Sequence, residues 1–188
     1  PLRACRPGRT GCGAAVDLGT TTVVVRLYDL ASGAELATES GWNVQAPYGA
    51  DVISRIQYTL EQPDGLQELS QRSREQVWSL IGRALARCGR EADTLCEITL
   101  VGNTVMQHLF AGYSVRGIAA APFRPETLFD APETVPLHGV PVHFAPCVAG
   151  YVGGDITAGL LAAGLADMPG TNLFLDIGTN GEMALGGR

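Results

Sequence analysis

The chain has 188 residues, 46% of them hydrophobic, with 24 glycines and a net charge of −6, enough to bury one sizeable core and a small appendage. The acidity, with a pI near 5.0, argues against nucleic acid as a partner, and no apolar run reaches the ~18 residues that a membrane span requires. All 13 basic residues are arginine, which excludes a Walker A loop and any Schiff-base or lysine-dependent kinase chemistry.

Residues 1–12 read as a linker remnant, basic through Arg3, Arg6 and Arg9. Strands are then predicted at 14–17, 23–29 and near 35–42, joined by short turns into a meander. Helical spacing follows over 50–61, with Val52, Ile53, Ile56 and Leu60 on one face, and again over about 66–88, with a stripe of Val77, Ile81, Ala84, Leu85 and Cys88. The charged residues of that second helix face solvent. Glu97 to Val101 is a buried strand ending in Gly102-Asn103, and 104–110 a short helix. Five prolines make 112–146 largely loop with short extended pieces. A strand is expected at 142–148 and a helix at 155–167, closed by Pro169-Gly170. Small residues along that last helix, Gly159 and Ala163 among them, permit close approach of another helix, although an alanine-rich core helix reads the same. The order is that of an α/β protein with a mixed sheet and helices on both faces.

The five cysteines (5, 12, 88, 96, 147) are odd in number and form no C-x-x-C pair. They are expected to be reduced, mostly buried thiols of a cytoplasmic protein, with Cys5 and Cys12 exposed in the N-terminal tail. A zinc or iron–sulfur site within this segment is not expected.

The chemistry lies in two matching segments. Asp17-Leu18-Gly19-Thr20-Thr21-Thr22 and Asp176-Ile177-Gly178-Thr179-Asn180-Gly181 each follow an apolar run, and their aspartates are 159 positions apart. Glycine lets backbone N–H groups approach an anion, and the threonine hydroxyls add donors. Asp17 and Asp176 can hold Mg²⁺ through its waters. Taken singly, either segment is an ordinary hairpin turn; two of them facing each other have what phosphoryl transfer needs, which is mainly positioning and charge neutralisation. Asp155, beside three glycines at a helix start, is a candidate to orient an attacking water or else an N-cap, and Glu182 is a second candidate for polarising water.

These segments resemble the two phosphate loops of the actin-like ATPase superfamily of actin, heat-shock chaperones and sugar and acetate kinases. The small-residue helix after Gly153-Gly154-Asp155 resembles the helix connecting their ribonuclease H-like lobes. Tyr48 to Ile56, Val101 to Met106 and Cys147 to Asp155 narrow the resemblance to the reductive activators of corrinoid proteins. It implies that 13–169 is a first ribonuclease H-like lobe and 170–188 the truncated start of a second. It implies ATP and Mg²⁺ as ligands, with Gly19, Thr20, Thr21, Thr22, Gly178, Thr179, Asn180 and Gly181 around the phosphates. In the intact protein it implies ATP hydrolysis coupled to reduction of a Co(II) corrinoid protein to Co(I), with electrons from a ferredoxin-like [2Fe–2S] domain that would lie outside this chain. The chain by itself is expected to be an inactive lobe whose 171–187 hairpin either self-associates or is disordered. The rival readings are a small-molecule kinase of the acetate or sugar type and a non-enzymatic actin-like scaffold.

Overall fold

The computed structural model describes residues 10–132, 134–178 and 181–188. Among the described residues, eight strands and four α-helices follow in the order β1 (Cys12–Leu18), β2 (Thr22–Asp29), β3 (Glu35–Trp42), α1 (Val52–Glu61), α2 (Gly65–Arg87), β4 (Leu95–Val101), α3 (Thr104–Ala111), β5 (Thr134–Leu137), β6 (Val140–Phe144), α4 (Gly154–Ala163), β7 (Asn172–Ile177) and β8 (Gly181–Gly186). Six strands form a mixed sheet in the order β3-β2-β1-β4-β6-β5, and β7-β8 form a separate two-stranded sheet.

The alternation of β1 and β2 decides which face is core. Val16 pairs with Val25 across an antiparallel ladder and with Leu100 across a parallel one. These three, with Leu18, Val23, Leu27 and Ile98, are fully buried, each stabilising the fold by about 1.5–3 kcal/mol. Asp17, Thr22 and Arg26 point to the opposite, open face. α2 lies on β2 and β3 and against α3, and its expected stripe Val77, Ile81, Ala84, Leu85 is buried in the same core. Among the described residues, no helix is long and apolar enough to cross a membrane.

Several expectations are corrected. Cys12 belongs to β1 and is fully buried, because its side chain shares the inward face with Ala14 and Val16; Cys5 lies outside the described residues. In α1 the inward residues are Val52, Arg55 and Ile56, whereas Ile53 and Leu60 are exposed. The helix starts with a capping box between Asp51 and Ser54, which sets its roll so that positions i, i+3 and i+4 from Val52 face the core. β6 begins at Val140 and stops at Phe144 rather than running over 142–148. β5, hidden among prolines in the sequence, pairs with it at the sheet edge, with Pro136 opposite Pro141, a position where the missing N–H costs no ladder bond. The turn is made by His138 and Gly139, both at positive φ, the geometry of a tight hairpin turn. α4 ends at Ala163, four residues short of the expected Asp167, because Gly164 caps it in the left-handed conformation.

Candidate functional site

The first Gly-Thr turn sits where β1 ends. Gly19 N–H donates to Thr22 O at 3.0 Å, and a Cβ on Gly19 would lie 2.6 Å from that same oxygen, so only glycine closes the turn. The loop is held from behind. Asn43 Nδ2 donates to Gly19 O at 2.8 Å, Asn43 N–H donates to Thr21 O at 2.8 Å, and Arg55 Nη2 donates to Thr20 O at 2.7 Å. Asn103 Nδ2 donates to Thr20 Oγ1 at 3.0 Å, so the Thr20 side chain is turned inward and buried, while Thr21 and Thr22 stay at the surface. Asn103 thereby serves twice, since its Oδ1 also caps α3 by accepting Met106 N–H at 3.0 Å.

α4 begins beside this loop because glycines let it. A Cβ on Gly153 would lie 2.4 Å from Asn103 Cα, and one on Gly154 2.7 Å from Ala145 O. Asp155 N–H donates to Gly102 O at 3.2 Å, tying the helix start to the end of β4. The N-cap position belongs to Gly153, which makes no side-chain cap bond. Asp155 is therefore not the N-cap, one of the two roles its sequence position left open; it lies one residue into the helix, its Oδ1 accepting Ile156 N–H at 2.8 Å.

The second turn joins β7 to β8. Asp176 and Glu182 are directly opposed across that ladder, on the face turned inward. Gly178 is exposed at the tip and Gly181 opens β8 with free space around its Cα. Thr179 and Asn180 lie outside the described residues.

Asp17, Asp155, Asp176 and Glu182 therefore come from four elements to one place, and their electrostatics register it. Burial, then the charges of Asp155 and Asp176, hold the Asp17 carboxyl above its ordinary range. Burial and Asp176 do the same to Asp155, and burial, Asp155 and Asp176 to Glu182. One side of Asp17 opens to solvent, so its desolvation is partial. No arginine is among the groups acting on these three carboxyls, and a cluster of like charges without a counter-ion favours a cation. Among the described residues no three His, Cys, Asp or Glu side chains converge closely enough to ligate a metal directly. The arrangement fits a hydrated Mg²⁺ held through its waters better than a bare ion. A concavity of about 580 Å³ between α2 and the His138 turn is lined by none of these residues.

Asn43 and Arg55 were given no role from the sequence, whereas Gly102-Asn103 was expected at a strand end where ligands sit. Arg55 stood in a segment that carried the resemblance, but its burial has no local sequence signal.

Residues 12–168 match the family described as the RACo middle region. The corrinoid activation enzyme RamQ of Eubacterium limosum is 35% identical over 184 residues, covering 93% of this chain and 30% of RamQ. Among solved structures, a reductive activator for corrinoid, iron-sulfur protein superposes with a TM-score of 0.91 at 42% identity, over 97% of this chain and 30% of that one. A putative 2-dehydro-3-deoxygalactonokinase from Sinorhizobium meliloti superposes over 93% of this chain and 49% of that chain with a TM-score of 0.50 at 15% identity, a likeness of fold alone. The chain spans about 30% of the length of both corrinoid-activating relatives.

Proposed function

The chain belongs to the RACo middle-region family, and from that premise we propose that it is the first lobe of the ATP-binding domain of a reductive activator of corrinoid proteins. The observation that carries the reading is the meeting of Asp17, Asp155, Asp176 and Glu182 beside a Gly-Thr loop whose carbonyls are tied back into the protein.

In this reading Gly19 to Thr22 and Gly178 to Gly181, including Thr179 and Asn180, clasp the β- and γ-phosphates from opposite sides. Asp17 and Asp176 order the waters of Mg²⁺, which when bound offsets the phosphate charge. Asp155, free of the cap position, orients the water that attacks the γ-phosphate, and Glu182 is the second group able to polarise it. ATP hydrolysis in the whole protein then supports reduction of a Co(II) corrinoid partner protein to Co(I) in the cytoplasm. The electrons come from a [2Fe–2S] ferredoxin-like domain elsewhere in the full-length protein. In this reading the 188-residue chain supplies four carboxylates and two phosphate loops, and a partner lobe completes the nucleotide site.

Calorimetric titration of Mg·ATP into the 188-residue chain and into the protein as its host makes it tests this. Binding by the latter is expected, and Asp17→Ala abolishes hydrolysis with the fold retained. A folded host-made protein that takes no Mg·ATP leaves the scaffold reading in front, while phosphorylation of an added sugar or carboxylate would move the assignment to a small-molecule kinase.

A further inference from the structure

Arg55 is fully buried, and a buried guanidinium ordinarily sits against a carboxylate because an unpaired interior charge is costly. This one does not. Its Nε donates to Gly49 O at 3.0 Å, Nη1 donates to Gln45 Oε1 at 3.3 Å and lies 3.1 Å from Met106 Sδ, and Nη2 donates to Thr20 O at 2.7 Å. Every one of these partners is neutral. Asp51, the acid that acts on it, is an exposed cap already engaged with Ser54. Burial draws the guanidinium down to about 10, which still leaves it charged at neutral pH.

The partners have a direction. Two successive carbonyls of the first Gly-Thr loop are taken from within, Gly19 O by Asn43 and Thr20 O by Arg55. In a planar trans peptide the C=O and N–H point opposite ways, so the N–H groups of Thr20 and Thr21 are aimed away from Asn43 and Arg55, outward from the loop. A carboxylate beside Arg55 would cancel its field at that point; a ring of neutral acceptors leaves the field intact.

We propose that Arg55 is a positioning residue for a polyphosphate ligand: it orients the Thr20–Thr21 peptide and places an unneutralised positive charge behind the loop, in a chain that contains no lysine. The inference rests on the nucleotide reading above.

Gln45→Glu separates this role from plain packing. It preserves side-chain volume and sets a carboxylate against the guanidinium, neutralising Arg55 without removing it, and it gives up the Gln45 Nε2 donation to Leu69 O at 2.8 Å. In the protein as its host makes it, Gln45→Glu is expected to weaken calorimetric Mg·ATP binding about tenfold or more, raising KM with little change in kcat, while the lost bond to Leu69 O lowers the thermal midpoint of a protein that still folds. Arg55→Gln loses more affinity, and Arg55→Lys, which keeps the charge but not the fork, recovers part of it. Wild-type affinity in folded Gln45→Glu overturns the inference even if the Arg55 variants fail to fold. A folded wild-type protein that takes no Mg·ATP overturns the nucleotide reading itself, and this inference with it.

Discussion

Phe174 of β7 rests its ring tip on the bare backbone of Gly159 in α4, where a methyl group would lie 2.8 Å from the phenyl Cζ. The small residues of α4 thus admit an aromatic from the two-stranded sheet. A leucine at 159 has no room unless the ring leaves. Gly159→Leu is expected to speed amide exchange across 172–177 and 181–186 by about tenfold or more, with the six-stranded sheet unchanged. Undisturbed exchange in β7 and β8 would show that the contact does not dock the hairpin.

The carboxylate cluster makes stability depend on pH with a definite sign. Asp17, Asp155 and Glu182 titrate above their ordinary values of 3.8, 3.8 and 4.5, so the folded state binds protons more tightly than the unfolded one. Their contribution is fully present below the ordinary values and is lost as pH rises through the raised ones. His108 works the other way. Burial holds its imidazole below 6.5, and with Nδ1 2.7 Å from Thr104 O and Nε2 accepting Thr127 N–H the neutral ring suits both partners. Its contribution is present above 6.5 and falls away as pH drops through the lowered value. The difference between wild type and Asp17→Asn isolates the cluster. Without Mg²⁺ or nucleotide, Asp17→Asn is expected to melt higher than wild type at pH 7, with the gap closing on acidification and on addition of Mg²⁺. A variant that melts at or below wild type at pH 7 would mean that the repulsion is already relieved by solvent.

Gly153 has no freedom to change. A Cβ there meets Asn103 Cα at 2.4 Å and Gly102 O at 2.6 Å, both backbone atoms that cannot swing aside. Gly153→Ala is expected to cost about 2–3 kcal/mol in denaturant unfolding and to draw Asp155 away from Asp17, so that Mg·ATP affinity falls as well. Stability within about 0.5 kcal/mol of wild type would show that α4 can shift freely.

The outer face of the β7–β8 sheet is apolar throughout: Leu173, Leu175, Ile177, Met183 and Leu185 are between 51% and 85% exposed. Such a face on a two-stranded sheet invites pairing with another chain. Sedimentation velocity of the 188-residue chain is expected to show concentration-dependent association, abolished by Leu175→Glu with Leu185→Lys. A monomer at every concentration, in the absence of these substitutions, would refute this.

Much of the fold was legible locally. The strands around Val16 and Val25, the stripe of α2, the start of α3 after Asn103 and the turn after Asp17 are written within a few residues of where they act, and short-range sterics and hydrogen bonding enforce them. β5 was not legible, because Pro136 within it argues against a strand until the sheet edge makes its missing N–H harmless. Nor was the roll of α1, which turns Arg55 inward and Ile53 outward once the capping box and the core act together.

The sequence by itself determined the family, the kinds of side chain available and the exclusion of a lysine-based phosphate site, since these follow from residue identity and local spacing alone. Only the tertiary structure decided that Asp17, Asp155, Asp176 and Glu182 repel one another in one place, that Gly153 takes the cap from Asp155, and that Arg55 stands uncompensated behind Thr20. Convergence and burial are properties of long-range packing, and no run of neighbouring residues encodes them.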